Sequence, residues 1–87
     1  MKVYLAYDCS SNLNKDKLIG VYATESAARA AVLDFLKDEA GYMQEEWEDF
    51  AEDRGFKTVE DFQNAILASS EYDDDMEMEV REETVLN

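Results

Sequence analysis

The most constraining feature of this sequence is the segment from Gly41 to Gly55, in which acidic residues surround a single apolar stripe. On a helix with about 100° per residue, one side of the segment collects Met43, Trp47, Phe50, Ala51 and Arg54. An opposite arc of about 160° carries the carboxylates Glu45, Glu46, Glu48, Asp49, Glu52 and Asp53. The segment is therefore predicted to be an amphipathic helix that buries its apolar side and presents negative charge.

Helix stability alone would not select this acidic arc. It contains three like-charge pairs at a spacing of four residues, which are Glu45 with Asp49, Glu48 with Glu52, and Asp49 with Asp53. Each such pair costs about 0.2–0.5 kcal/mol, and the helix dipole disfavours the acids of the last turn. A merely solvated face is the ordinary alternative, but solvated faces normally mix lysines with acids. We therefore interpret the arc as a functional acidic face.

The charge is distributed unevenly along the 87 residues. Residues 1–38 hold five basic and five acidic side chains, whereas residues 39–87 hold three basic and 17 acidic ones and carry the whole net charge of −14. Within one small acidic domain, predicted to span residues 1–87, this asymmetry indicates an electronegative flank and a basic protein partner. Direct nucleic-acid binding is not expected because it needs Lys and Arg to release counterions, and anionic membranes are disfavoured for the same reason.

The N-terminus and the cysteine content predict a chain that works in the cytoplasm. The segment Met1–Asp8 acquires charge too soon to be a signal peptide, and no apolar run reaches the length of a membrane span. Cys9 is the only cysteine, so an internal disulfide is impossible and a reducing compartment is the simplest setting.

The strands of the predicted fold are visible as alternating or β-rich runs. Residues 2–8 alternate and residues 18–23 are rich in β-formers, so the two runs predict a hairpin with a polar turn over residues 9–17. Gly20 inside the second run indicates a bulge or a close backbone approach. Residues 76–85 alternate again and predict a third strand that joins the hairpin.

Capping residues delimit the predicted helices. Thr24 is a good N-cap for a helix over about residues 25–40, and Thr58 opens another helix. Gly41 and Gly55 stand where left-handed residues end helices. The sequence thus predicts an α+β fold of order β-β-α-α-α-β, with the helices on one face of a three-stranded antiparallel sheet. Its expected core residues are Val3, Leu5, Phe35, Trp47, Phe50, Phe62, Ile66 and Val80.

Catalysis and cofactor binding find little support in the residue types. The chain has no histidine, Cys9 and the serines have no base nearby, and no glycine-rich phosphate loop exists. We therefore expect no enzyme activity, no cofactor and no catalytic residue. Alternating acids after Ser70 have the spacing of a calcium loop, but its sixth position is Met78 and its twelfth is Thr84, so no metal site is expected.

The same acids give the acidic face a possible extension. These residues are Asp73, Asp74, Asp75, Glu77 and Glu79, and we predict that they bind the partner together with the helical carboxylates. Neighbouring acids on a helix face lie about 5–6 Å apart, which is comparable with the separation of phosphates along one DNA strand. A rigid display of this kind would compete for the Lys and Arg of a DNA-binding groove, so the sequence favours DNA mimicry.

Several short motifs add a resemblance to a known family. The segments Ala6-Tyr7-Asp8 and Val21-Tyr22-Ala23-Thr24-Glu25 are similar to the first strand and the strand–Thr–helix unit of small phage proteins. More specifically, a block of three motifs resembles an anti-CRISPR protein: Gly41-Tyr42, Trp47-Glu48-Asp49 and Val59-Glu60-Asp61-Phe62. In this order, over residues 3–80, the chain resembles a phage anti-CRISPR protein that inhibits type II-C RNA-guided effector nucleases. The resemblance implies a phage inhibitor that occupies the site where the nuclease reads its protospacer-adjacent motif (PAM), with carboxylates engaging arginines aimed at DNA. It assigns no individual contact residue.

Two other functions remain open from the residues. The acidic face could mimic DNA toward a restriction enzyme or a nucleoid protein. It could also belong to a regulatory module that binds a basic protein without any DNA mimicry. In each case the partner is a basic protein, and the sequence does not separate the three.

Overall fold

The computed structural model describes residues 1–10 and 16–86 and has three strands and three helices in these ranges. The elements are β1 (Lys2–Asp8), β2 (Lys17–Tyr22), α1 (Glu25–Asp38), α2 (Gln44–Asp53), α3 (Val59–Ala68) and β3 (Met78–Thr84). Both neighbours of β1 are antiparallel to it and the sheet order is β2-β1-β3, so β3 is an edge strand. The predicted α+β class and element order are confirmed.

The hairpin of β1 and β2 contains the irregularity predicted at Gly20. Ala6 pairs with Gly20 and Tyr7 with Leu18, so Ile19 is an extra residue that bulges β2. A Cβ atom on Gly20 would stand 2.8 Å from Cζ of Tyr22, so the glycine leaves room for the tyrosine ring. The predicted polar turn falls mostly on residues 11–15, which lie outside the described residues.

Both predicted N-caps are confirmed. The hydroxyl oxygen of Thr24 accepts a hydrogen bond from the backbone N–H of Ala27 at 3.1 Å. The hydroxyl oxygen of Thr58 accepts from the N–H of Asp61 at 3.1 Å. Each bond satisfies one of the backbone donors that a helix start leaves free. The first helix ends at Asp38, slightly before the predicted boundary.

Glycines follow α1 and α2 as the sequence predicted. Gly55 has φ +81° and directly follows the C-cap of α2. The N–H of Phe56 donates to the carbonyl of Ala51 at 2.9 Å and that of Gly55 to Glu52 at 3.0 Å, which is the pair of bonds of a Schellman motif. Gly41, with φ +68°, stands two residues beyond the C-cap of α1.

The hydrophobic core lies between the helices and the sheet face that carries Ala6, which is fully buried. The prediction that Val3 and Leu5 are buried is wrong, since they point to the opposite face and stay partly exposed. Successive strand residues alternate between faces, and the helices cover only one of them. Of the other expected core residues, Trp47, Phe62 and Ile66 are buried, whereas Phe35, Phe50 and Val80 are half-buried against the core.

The third strand begins later than the sequence predicted because a tight turn over residues 71–77 precedes it. The carbonyl of Asp73 accepts hydrogen bonds from the N–H groups of Met76 and Met78, at 3.1 and 2.8 Å. Glu77 adopts a left-handed conformation with φ +59°. Met76 is buried although it is not part of the strand, so the turn itself contributes to the core.

A buried ion pair joins this turn to α1. Arg29 and Asp73 are 2% and 7% exposed, and two hydrogen bonds connect them: Nη2 to Oδ1 at 2.5 Å and Nη1 to Oδ2 at 3.2 Å. Nε of Arg29 also donates to the carbonyl of Ile66 at 2.8 Å. Burial raises the pKa of the Asp73 carboxyl, while the bonds and charge of Arg29 act in the opposite direction. The sequence alone does not predict this pair, because its two partners lie 44 residues apart.

We expect Arg29→Met to destabilise the fold by about 3–5 kcal/mol, because it leaves the Asp73 carboxylate buried without its partner. The double variant Arg29→Met/Asp73→Leu should recover part of this loss, since it removes both charges. Urea denaturation followed by circular dichroism measures both values. As a control, Lys2→Gln breaks the exposed pair with Glu82 and should leave the free energy of unfolding nearly unchanged, because solvent screens such pairs. An equal loss for the Lys2 and Arg29 variants would contradict the argument.

Candidate functional site

The helix α2 packs against α3 and forms the outside of the helical layer. Its buried residues are Trp47, 4% exposed, and Ala51, 2% exposed. Among the described helices and strands, α2 contacts only α3. No Cα atom of α2 lies within 8 Å of a Cα atom of α1 or of a described strand. The helix therefore stands away from the sheet and turns most of its surface to solvent.

Aromatic rings fix the orientation of α2. The ring of Trp47 makes edge-to-face contacts with Tyr42, Phe50 and Phe62, at centroid distances of 5.8, 6.4 and 6.0 Å. This confirms the predicted inward side, except for Met43, which is 70% exposed. Met43 is the N-cap with an extended backbone, so helical spacing does not place its side chain.

All six carboxylates predicted from helical geometry are exposed and share the outer side of α2. We call these residues the acidic face: Glu45, Glu46, Glu48, Asp49, Glu52 and Asp53. Within residues 1–10 and 16–86, none of them forms an ion pair. The hydrogen bonds that they accept there come from neutral donors close in sequence. The N–H of Met43 donates to Glu46 and the side-chain amide of Gln44 donates to Glu48, each at 3.2 Å.

Arg54, the basic residue nearest to the acidic face in sequence, turns away from it. Its Nη1 donates to the carbonyl of Phe50 at 3.0 Å and its Nε to the carboxylate of Asp75 at 3.2 Å. The guanidinium also lies 5.4 Å from the ring centroid of Phe62. Packing on the inner side of α2 thus turns this cation away from the acidic face. Lys57 lines a cavity with Glu48 and Glu52 but forms no ion pair with either within the described residues.

The second predicted group of acids does not form one extension of the acidic face. Asp73 is buried in its pair with Arg29, so the prediction that it binds a partner is wrong. Glu79 points to the sheet face opposite the helices, because its pairing partner Tyr7 alternates with the buried Ala6. The group divides because one acid was drawn into the core and another lies on a strand.

The remaining members of that group differ in their charge balance. Asp75 is half-exposed and paired with Arg54, and Glu79 is paired with Arg81 at 2.7 Å. Asp74 and Glu77 are exposed and form no ion pair within the described residues. Only these two are therefore available to a partner in the way that the sequence predicted for the whole group.

Cys9, Asp16 and Glu79 form the one cluster of ligand-type atoms among the described residues, all within 4.8 Å of one another. Arg81 forms ion pairs with both carboxylates and already supplies the positive charge there. Hydrogen bonding to Arg81 lowers the pKa of Glu79, whereas burial and the two acids raise the pKa of Cys9 to about 11. A protonated thiol beside a resident guanidinium is a poor cation site, so we assign no metal.

The chain was compared with protein-family models, curated proteins and solved structures, and none of them matches it. The resemblance to anti-CRISPR proteins therefore stays a prediction from the sequence. Among the described helices, none combines the length and the apolar character that crossing a membrane requires.

The unpaired acidic face predicts a salt-dependent stability. The screening length falls from about 30 Å at 0.01 M salt to about 8 Å at 0.15 M, so added salt should weaken the repulsion among these acids. We expect the melting temperature, followed by circular dichroism, to rise between these two conditions. A variant that lacks four of the six charges should show a smaller rise. A melting temperature that is flat or falls with salt would show that the acids are already balanced in the native state.

The raised pKa of Cys9 predicts slow alkylation at neutral pH, because the thiolate is the reactive form. The rate with iodoacetamide should increase about tenfold for each pH unit and level off only near pH 11, the folded-state pKa. In urea the plateau should move to about pH 8.5, the ordinary value for a cysteine. Quantifying the modified fraction by mass spectrometry checks both curves, and identical curves would contradict the buried, anionic surroundings of Cys9.

Proposed function

We propose that this protein inhibits a DNA-binding host defence protein by acting as a DNA mimic in the bacterial cytoplasm. The partner that we propose is a CRISPR effector nuclease, whose basic PAM- and DNA-binding site the acidic face would occupy. The observation that carries the proposal is the set of six exposed carboxylates on one helix side, without an ion pair among the described residues.

The missing ion pairs matter for binding energetics. A carboxylate that already forms an internal ion pair must break it to bind an arginine of the partner, so the net gain in binding free energy is small. Within the described residues the acids of α2 have no such pair to break, and association relieves their mutual repulsion. Arginines in a DNA-reading site are already aimed at anionic or acceptor atoms, and carboxylates can accept their hydrogen bonds in bidentate geometry.

Rigidity also supports the proposal. A DNA mimic has to hold its charges at fixed spacing, since ordering flexible side chains on binding reduces affinity. The buried Trp47, its ring contacts and the Schellman motif at Gly55 hold the backbone of α2 at both ends. The anti-CRISPR resemblance of the sequence then favours an RNA-guided nuclease over other DNA-binding proteins.

The decisive variant combines Glu45→Gln, Asp49→Asn, Glu52→Gln and Asp53→Asn. It removes three like-charge pairs, so we expect the fold to be unchanged or slightly more stable. Affinity for a guide-loaded type II-C effector nuclease should fall about 30-fold, if each lost ion pair contributes about 0.5 kcal/mol. A gel-shift competition with target DNA, repeated at several salt concentrations, measures the loss and should show steeper salt dependence for the wild type.

A matched control removes the same number of charges elsewhere. Changing Glu25, Glu60, Glu71 and Glu83 to Gln also takes the net charge from −14 to −10, at exposed positions off α2. This control should inhibit nearly as well as the wild type. If both variants lose inhibition equally, inhibition depends on the net charge of the protein and not on the acidic face. If neither variant loses inhibition, the acidic face is only a solvated surface.

A further inference from the structure

A second concave surface lies between β2 and α1, away from the acidic face. Two adjoining cavities of about 290 and 190 Å³ follow the outer side of β2. They share Ile19 of the strand and Phe35 and Glu39 at the helix, so together they form one groove along the sheet edge. We call it the β2–α1 groove.

The strand wall of this groove is an open sheet edge. Within the described residues β2 pairs only with β1, so alternate N–H and C=O groups on its other side have no strand partner. Proteins usually protect such an edge with charged side chains. The opposite edge, β3, carries Glu79, Arg81, Glu82 and Glu83, but from Leu18 to Tyr22 the strand β2 has no charged residue.

The helix wall combines an apolar floor with an acidic rim. Ala31, Asp34, Phe35 and Asp38 recur at helical spacing and line the groove. Ala31 and Phe35 are partly buried and line the same cavity as Ile19 and Tyr22 of β2, whereas both aspartates are exposed. Together with Glu39 they form a rim of three carboxylates, none of which has an ion pair among the described residues.

We propose that the β2–α1 groove binds an extended peptide segment of a partner protein, which adds to β2 as a further strand and carries Lys or Arg. The main chain of the segment would pair with the open edge of β2, as in other cases of strand addition. Its side chains on the helix side would place apolar groups on Phe35 and Ala31 and cationic groups at the carboxylate rim. This surface does not depend on the acidic face of α2.

Charge argues against a second copy of this chain as the occupant. Pairing β2 with β2 of another copy would bring two α1 helices side by side on the same face of the joint sheet. Two rims of Asp34, Asp38 and Glu39 would then approach each other, and among the described residues Lys17 is the one base that lines the groove. Like charges in such positions oppose association. The bulge at Ile19 interrupts the edge, so the added strand should be short.

The test uses the full chain and the blocked hexapeptide Lys-Thr-Val-Thr-Lys-Thr, whose two lysines and valine share one face of an extended strand, titrated in amide-resolved NMR. We expect chemical-shift changes in β2 and along Ala31–Glu39, slower hydrogen exchange of β2 amides, and a dissociation constant of about 1 mM or tighter. Asp34→Asn/Asp38→Asn should weaken this binding about fivefold. Glu45→Gln/Asp49→Asn, which removes the same charge from α2, should change it less than twofold.

Backbone methylation separates strand addition from general attraction to an acidic protein. Two versions of the peptide carry methyl groups on alternate backbone nitrogens, one version on the odd positions and the other on the even positions. Each keeps its charge and side chains, and one of them loses the N–H groups that would pair with β2. We expect that version to lose the shift changes in β2 while any weak contact with α2 persists. Equal binding of the unmethylated peptide and both methylated versions, shifts confined to α2, or no shifts at millimolar peptide would overturn the proposal. A dimer with protected β2 amides before peptide is added would also overturn it, in favour of a second copy.

Discussion

The buried pair of Arg29 and Asp73 joins three parts of the chain at one place in the core. Arg29 stands on α1, Asp73 on the turn over residues 71–77, and Nε of the arginine reaches the carbonyl of Ile66 on α3. This turn delivers Met78 directly into register with Asp8 of β1. A buried ion pair adds little net stability over an apolar replacement, but breaking it is costly. Its contribution is to fix where β3 begins.

Intramolecular ion pairs of the arginines also determine the charge of the molecular surface. Each arginine in the structure faces inward or toward a nearby acid: Arg29 to Asp73, Arg54 to Asp75, and Arg81 to Asp16 and Glu79. A chain with a net charge of −14 has few other bases. In the part of the chain that the structure describes, the acids of α2 are thereby left without an ion pair, although Arg54 ends their own helix. The electronegative surface therefore results from core packing as much as from composition.

The two proposed surfaces both select positive charge, but by different physical means. On the acidic face, exposed charges would set association rate and salt dependence, since they remain at the solvent boundary. In the β2–α1 groove, main-chain hydrogen bonds would define register, and the rim of Asp34, Asp38 and Glu39 would bias the choice of segment. A basic partner with both a DNA-binding site and an extended segment would fit the two surfaces independently.

The sequence by itself determined the features that depend on near neighbours. The element order, the caps at Thr24 and Thr58, the left-handed glycines and the acidic side of α2 all follow from residues a few positions apart. These are local because hydrogen-bonding caps, backbone conformation and helical spacing act within one or two turns.

Only the tertiary structure decided the features that depend on distant partners. Either face of β1 is apolar enough to be buried, and the position of the helices selected Ala6 over Val3 and Leu5. Asp73 is identical in type to the exposed Asp74 beside it, yet a side chain 44 residues away draws it into the core. Arg29 stood at the helical spacing of Val32, Leu33 and Leu36, which was the one available signal. Spacing could mark it as inward-facing, but its counter-ion lies in another part of the chain, and only folding brings the two charges together.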